Sequence, residues 1–386
     1  MIEKYISKRP CPVCVCKEAT VVAQLCYALF DDLEISGDKT LVQCCRCGML
    51  YDDINFSEKQ LNEYYRINEH YAASASGGSG SASEDNRGRY DRIISLIESG
   101  SDGVVIDFGC GQGGFVSRCI EHGLKAVGIE SSVKSRDVAQ KQGLQVYDSI
   151  NTFIAENHIP NLKAVVFSHI LEHVIYPVDL LNTILQYSNR DTLIYIEVPD
   201  AESYILPKII HWQKMYFEHL SHFKKNNIAE LLKYVGIEII QEGLTNFSEL
   251  QKDNHCIYII GRFAEKSKKE RQPLFFGYKY ENILLHPDIS FDNIPKDDRP
   301  LALWGVSQYS MLLFGFRKDL LWRVIRLFDS SPAKIGRKIK GIIVEHSNNL
   351  DSLSDEYIFL LPKSNYIFEM RNQLSAIGFK GLMIEV

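Results

Sequence analysis

The stretch Val104-Val105-Ile106-Asp107-Phe108-Gly109-Cys110-Gly111-Gln112-Gly113-Gly114-Phe115 constrains the fold more than any other part of the chain. Residues of high strand propensity run into an acid, then into glycines at alternate positions, then into residues that can open a helix; the order predicts a strand, a tight turn and a helix start. Gly109, Gly111 and Gly113 carry no Cβ, so backbone can turn sharply there and approach a ligand closely. The acid precedes the glycines and their spacing is regular, unlike the Gly-x-Gly-x-x-Gly turn that holds dinucleotides. A second short apolar strand, Ala126-Val127-Gly128-Ile129, ends in Glu130, where a carboxylate can accept hydrogen bonds from ribose hydroxyls. Gln145-Val146-Tyr147-Asp148 reads as the third strand.

From this turn the chain alternates. Arg89 to Glu98 reads as the helix before the turn. Ala164-Val165-Val166-Phe167 is a fourth strand, followed by Ser168-His169-Ile170-Leu171-Glu172-His173-Val174 and an amphipathic helix to about Tyr187; Thr192 to Pro199 is a fifth strand. Ile228 to Tyr234 forms a helix closed by Gly236, and strands at Ile237 to Gln241 and Cys256 to Gly261 complete the set. Alternation of this kind predicts an α/β fold with a doubly wound parallel sheet that binds ligands beyond the carboxyl ends of its strands. Beyond a polar stretch at Lys266 to Arg271, Leu301-Ala302-Leu303-Trp304-Gly305-Val306-Ser307 is again a strand entering a glycine turn. Further strands at Arg326 to Phe328, Ile342 to Val344, Tyr357 to Leu361 and Leu382 to Val386 predict a second, smaller α/β domain.

Seven of the ten cysteines, Cys11, Cys14, Cys16, Cys26, Cys44, Cys45 and Cys47, fall at the amino-terminal end. Cys11-Pro12-Val13-Cys14 and Cys44-Cys45-Arg46-Cys47 are two Cys-x-x-Cys knuckles, each able to aim two thiolates from one turn at one ion. The pair predicts a structural Zn2+ held by Cys11, Cys14, Cys44 and Cys47, with short strands at Thr20 to Ala23 and Thr40 to Gln43 between them. Cys16 and Cys45 are spare thiols. Phe56 to Tyr71 reads as a helix rich in tyrosine, and Ala72 to Ser83, made only of Ala, Ser and Gly, as a flexible linker or lid. The expected division is therefore 1–71, zinc-binding; 72–88, linker or lid; 89–264, cofactor-binding; and 265–386, carboxyl-terminal.

Composition sets outer bounds. A hydrophobic fraction of 45% and a charged fraction of 24% are those of a soluble globular protein. No run approaches the apolar length of a membrane span, and the first residues lack the apolar core of a signal peptide, so a cytoplasmic protein is expected. A net charge of -6 argues against nucleic acid as the partner. A small molecule is the expected partner, and the chain a monomer or homodimer.

The turn with its preceding acid resembles motif I of the class I S-adenosylmethionine-dependent methyltransferases. The resemblance implies that Asp107 and the backbone of Gly109, Gly111 and Gly113 face the amino acid end of S-adenosylmethionine, that Glu130 and Ser131 meet the ribose, that Asp148 lies near the adenine, and that Ser168 and His169 complete the cofactor site. Tyr216-Phe217-Glu218-His219 follows the fifth strand. Two zinc knuckles, the cofactor domain, Leu171-Glu172-His173, the Tyr-x-Glu-His segment and a carboxyl-terminal Rossmann-like domain together resemble the sugar C-methyltransferases, which methylate C3 of a nucleotide-linked 4-keto-deoxysugar. That resemblance makes His219 the base that removes the C3 proton, with Tyr216 and Glu218 contacting the sugar and His173 lining the pocket. Asp329-Ser330-Ser331-Pro332-Ala333-Lys334-Ile335-Gly336 echoes the family's Asp-x-x-Pro-x-Lys-x-Gly, whereas Gly305 to Ser310 lacks the lysine of its Gly-x-x-x-x-Lys turn. An O- or N-methyltransferase acting on another small metabolite, or a cofactor-binding scaffold without activity, are the alternatives.

Overall fold

The computed structural model describes residues 5–67, 84–157, 161–203, 205–206, 209–210, 215–246, 255–263, 294–362 and 366–386. The Ala72 to Ser83 segment, Tyr71 and the Lys266 to Arg271 stretch lie outside the described residues. The chain divides into two compact units, one of residues 1–22, 41–207 and 218–282, the other of residues 23–40, 208–217 and 283–386.

The amino-terminal strands are β1 (Tyr5–Ile6), β2 (Glu18–Cys26), β3 (Asp38–Cys44) and β4 (Leu50–Ile54), followed by helix α1 (Glu58–Ile67). α2 (Glu84–Ile97) leads into β5 (Val104–Phe108), α3 (Gly114–Glu121), β6 (Lys125–Ile129), α4 (Val133–Lys141), β7 (Val146–Tyr147), α5 (Ile150–Asn157), β8 (Leu162–Ser168), α6 (Pro177–Leu185) and β9 (Leu193–Pro199). After the two-residue strands β10 (Ile205–Leu206), β11 (Ile209–Ile210) and β12 (Ser221–His222) come α7 (Lys225–Val235), β13 (Ile237–Asn246) and β14 (His255–Phe263).

The first unit is organised by a sheet in the order β13-β14-β9-β8-β5-β6-β7. β9, β8, β5, β6 and β7 run parallel, and β14 is antiparallel to both β9 and β13. Successive residues of a strand point to opposite faces, and the apolar side chains sort accordingly. Ile106, Val127, Val165, Phe167, Ile194 and Ile196 pack with Phe153 of α5, Leu181 of α6 and Leu231 of α7, in a core that also takes in Cys11, Cys44 and Tyr51 of the amino-terminal segment. Val105, Ala126, Ala164, Val166 and Tyr195 pack with Ile93 and Ile97 of α2 and Phe115 of α3. With both faces covered, β8 and β9 are buried along almost their whole length, as a central parallel strand requires.

Local signals explain the boundaries. α4 begins at Ser132, whose hydroxyl accepts from the Ser135 N–H, α6 carries Pro177 in its first turn, and α7 ends at Gly236 in the left-handed conformation. β13 runs to Asn246, beyond the Gln241 expected, because β14 pairs with it over that whole length; its exposed outer side chains give no apolar alternation to read there. Among the described residues no helix is long and apolar enough to cross a membrane.

The second unit is built on β15 (Leu301–Trp304), α8 (Gln308–Phe316), α9 (Lys318–Arg323), β16 (Val324–Asp329), β17 (Lys338–Ile339), β18 (Ile342–His346), β19 (Ile358–Leu361), α10 (Ile367–Ala376) and β20 (Leu382–Glu385). Its sheet order is β17-β18-β16-β15-β19-β20, parallel except for the β17–β18 pair, which is a Rossmann-like arrangement. The Asp329 carboxylate accepts from the Val306 N–H at 2.9 Å and the Ser331 N–H at 2.8 Å and pairs with Lys334 Nζ at 3.0 Å. The Asp-x-x-Pro-x-Lys run thus closes on itself and on the turn after β15.

Candidate active site

The β5–α3 turn adopts the conformation its glycines permit: φ is 72° at Gly109, 54° at Gly111 and 81° at Gly113. The Gly109 and Cys110 N–H groups both donate to the Ile129 carbonyl, at 2.7 and 3.1 Å, which ties the turn to the end of β6. Glu130, directly after β6, accepts from the Gly111 N–H at 2.8 Å through Oε2 and from the Ser132 N–H at 2.7 Å through Oε1. A carboxylate has more lone pairs than these two bonds use, so it can accept from another donor. Burial raises the affinity of Glu130 for its proton. Asp107, 6% exposed at the end of β5, is pushed up to about 7, chiefly by burial and then by the Glu130 charge, against the pull of Arg89. Asp148, exposed beyond β7, accepts from Thr152 Oγ1 at 2.6 Å, which lowers its pKa. Ser131 is exposed.

The ends of β8 and β9 hold an ionic cluster. Glu197, fully buried, accepts from Arg89 Nε at 2.9 Å, Arg92 Nη2 at 2.6 Å and the Tyr195 hydroxyl at 2.6 Å. Its negative form is held far below the ordinary carboxylate range: burial opposes ionisation, but Arg89, His169 and Arg92 outweigh it. Ser168 takes a hydrogen bond from Arg89 Nη2. His169 sits in the left-handed region at φ 58°, its Nδ1 3.2 Å from Glu172 Oε1 and its Nε2 3.2 Å from Glu197 Oε1. Burial disfavours the imidazolium, yet Cys256 and the two carboxylates raise its pKa well above the usual histidine value.

A second pair of histidines lies beside this cluster. The rings of His173 and His219 meet edge to face with centroids 4.8 Å apart. Burial lowers the His173 pKa, which keeps the ring neutral, and its Nδ1 is 3.0 Å from the Tyr65 hydroxyl. Glu218, 2% exposed, accepts from the Tyr64 hydroxyl, while Tyr216 is 40% exposed. The position of His219 is fixed by its neighbours. The Leu220 N–H donates to the Glu172 carbonyl at 2.7 Å, the Leu220 carbonyl accepts from the Asp52 N–H at 3.0 Å, and Ser221 and His222 pair antiparallel with Tyr51 and Leu50 of β4. Arg9, 3% exposed, adds bonds to the Ile175 carbonyl at 3.0 Å, the Leu220 carbonyl at 2.8 Å and Ser221 Oγ at 2.9 Å.

The thiols of Cys11, Cys14, Cys44 and Cys47 all lie within 4.8 Å of one another, with Cys11–Cys47 and Cys14–Cys44 sulfurs at 3.5 Å. A tetrahedral Zn2+ with bonds of about 2.3 Å sets its sulfurs roughly 3.8 Å apart, so the four fit that ion. Cys16 is half-buried and Cys45 exposed.

Residues 83–242 match the family model described as a methyltransferase domain. That segment is a methyltransferase domain. Its α/β sheet is that of the class I methyltransferases. Among curated proteins no sequence matches the chain. Solved structures similar to this chain include a SAM-dependent methyltransferase from Archaeoglobus fulgidus (18% identity over 52% of this chain and 99% of that one, TM-score 0.40). The 1,6-didemethyltoxoflavin-N1-methyltransferase of Burkholderia thailandensis is another (14% identity, 58% and 99%, TM-score 0.40). A third is the magnesium protoporphyrin IX methyltransferase of Synechocystis PCC 6803 (13% identity, 54% and 99%, TM-score 0.37).

The glycine turn of the methyltransferase domain makes a direct prediction. A Cβ at Gly109 would come 2.1 Å from Ile170 Cδ1, and the backbone there sits at φ 72°. Gly109→Ala is expected to cost about 1–3 kcal/mol of stability and to weaken S-adenosylmethionine binding, read by denaturant midpoint and calorimetric titration. Adding Ile170→Ala relieves the collision but not the backbone strain, so the double variant should recover only part of the loss.

Proposed function

We propose that the protein methylates C3 of a nucleotide-linked 4-keto-deoxysugar, with His219 as general base and Tyr216, Glu218 and His173 shaping the sugar site. In this reading Asp107, the amides of Gly109, Gly111 and Gly113, Glu130, Ser131, Asp148, Ser168 and His169 hold S-adenosylmethionine. The site fits that molecule: the Gly109 cradle has no room for a Cβ, and Glu130 retains acceptor capacity for ribose hydroxyls. When bound, S-adenosylmethionine supplies an electrophilic methyl group. Residues 1–71 serve as a zinc-binding segment through Cys11, Cys14, Cys44 and Cys47, residues 89–264 as the methyltransferase domain, and residues 265–386 as a carboxyl-terminal domain.

The observation that carries the base assignment is the His173–His219 contact on a segment clamped by backbone hydrogen bonds and Arg9. A base must be held rigidly within reach of the proton it removes. Neutral His173 at its side adds no like charge to oppose protonation of His219. The chemistry suits imidazole, because a ketone at C4 acidifies the C3 proton: His219 takes that proton, and the electron pair it leaves delocalises onto the C4 oxygen as an enolate. Incubation with labelled S-adenosylmethionine and a panel of nucleotide-linked 4-keto sugars, followed by mass analysis, tests the acceptor. Deuterium uptake at C3 in heavy water without methyl donor tests the base. Methylation of an oxygen or nitrogen with no C3 exchange would replace this reading by the O- or N-methyltransferase alternative.

Asp107 yields a prediction with opposite signs for stability and binding. Its folded pKa of about 7 lies above the unfolded value, so the folded state holds the proton more tightly. Stability contributed by this group is present below about pH 4 and is lost as pH rises through about 7. Asp107→Asn is therefore expected to be more stable than the parent at pH 8, by on the order of 3 kcal/mol. It should also bind S-adenosylmethionine roughly 10–100-fold more weakly, through loss of a charge-assisted hydrogen bond to the ammonium group. Calorimetric melting and titration across pH 5–9 read both, and parent affinity should rise through about pH 7 as Asp107 ionises.

A further inference from the structure

Beside the Cys₄ cluster, a second group of ligating side chains stands in the same unit: Glu172, His173 and His219 each offer one atom, all within 4.8 Å of one another. Its donors are two imidazole nitrogens and a carboxylate oxygen. Glu172 is 1% exposed, and its Oε2 has no hydrogen-bond partner among the described residues. A buried carboxylate oxygen without a donor is costly and rare. Glu172 Oε1 is 3.9 Å from His173 Nε2, while His173 Nδ1 meets the Tyr65 hydroxyl at 3.0 Å. A hydrogen bond at one ring nitrogen orients the imidazole, as the outer-shell partners of metal-ligating histidines do. Both imidazoles are half-buried rather than sealed, so an ion has access.

We propose that Glu172, His173 and His219 form a binding site for one divalent transition-metal ion, distinct from the four-thiolate site. The donor set selects the class of ion. Two imidazoles and one carboxylate suit Zn2+, Co2+, Ni2+ or Fe2+, and disfavour Ca2+ and Mg2+, which take oxygen ligands. Coordination at about 2.1 Å draws ligand atoms to roughly 3–3.4 Å apart, a contraction within reach of side-chain rotation about Glu172 and the two rings. Three protein ligands leave coordination positions open to solvent or a small molecule. An ion there also occupies a nitrogen lone pair of His219, so ion and proton compete for that imidazole. The site stands on these three side chains and on none of the assignments of the methyl acceptor.

The test uses the full chain with its four-cysteine set first saturated with Zn2+, titrated with Co2+ under equilibrium dialysis and visible spectroscopy. One further Co2+ per chain is expected, with d–d bands in the visible and no thiolate-to-cobalt charge transfer. Glu172→Gln, which keeps the side-chain shape, and His173→Asn should each weaken that binding by about tenfold or more, as should His219→Asn at its half-buried position. Near-UV circular dichroism and S-adenosylmethionine binding verify that each variant is folded, and any one folded variant suffices. The proposal is overturned if no further Co2+ binds, if the new signal carries thiolate charge transfer, or if the extra ion survives substitution of these residues.

Discussion

Replacing His219 by asparagine is expected to lower turnover by roughly 10²–10⁴-fold, the range a positioned general base contributes, with S-adenosylmethionine affinity essentially unchanged. Asparagine keeps polarity and approximate size but has no nitrogen that takes a proton. The surrounding clamp does not depend on the ring: the Leu220 N–H still reaches the Glu172 carbonyl, and Ser221 and His222 still pair with β4. The loss should fall on kcat, because the proton transfer belongs to the transition state. In the proposed reaction, deuterium uptake at C3 should disappear in parallel, since exchange needs the same base and no methyl donor. His173→Asn is the control. Its ring meets His219 edge-on and the Tyr65 hydroxyl through Nδ1, so its loss should loosen the geometry and slow turnover by about tenfold while measurable exchange survives. Full turnover in His219→Asn would remove carbon methylation through this base.

Local chemistry made part of this site legible and tertiary packing hid the rest. The glycine turn could be read because its requirement is backbone geometry, which only glycine meets freely, and three φ values between 54° and 81° follow from it. The knuckles could be read because two thiols on one turn have a fixed reach, and all four sulfurs do converge. Glu197 left only a faint trace, an acid inside the apolar run Leu193-Ile194-Tyr195-Ile196-Glu197-Val198. Its partners Arg89 and Arg92 stand more than a hundred positions earlier on α2, and no periodicity joins them to it. Arg9 likewise reads as an ordinary surface cation before the first knuckle, yet its guanidinium is buried against carbonyls of Val174, Ile175 and Leu220. Tyrosines on α1 stood out by composition, but only folding brings Tyr64 to Glu218 and Tyr65 to His173. The left-handed backbone of His169 gave no signal, because histidine has no strong preference that announces it.

Withdrawal of the proposed zinc by a chelator is expected to destabilise the first unit by several kcal/mol, since a metal bound only by the folded state contributes its binding energy to folding. Cys11, Cys44 and Cys47 are buried in the same core as Ile106, Val165 and Ile196 of the main sheet, so loosening the knuckles disturbs more than a surface flap. Turnover should fall before the cofactor site is lost. The strand after Cys47 is β4, β4 pairs with β12, and His219 lies two residues ahead of β12. The Asn227 side chain also donates to the Cys47 carbonyl at 3.4 Å, tying α7 to the second knuckle. The glycine turn takes its bonds from Ile129 and Glu130 instead. A chelated protein should therefore show a lower melting temperature and a lower kcat while still binding S-adenosylmethionine, and Cys14→Ser should reproduce that pattern. Cys45→Ser, at an exposed thiol outside the four, should leave all three measurements unchanged. An unaltered melting temperature after complete removal of metal would show that the four thiols pack as reduced cysteines, and would sever the knuckles from the positioning of His219.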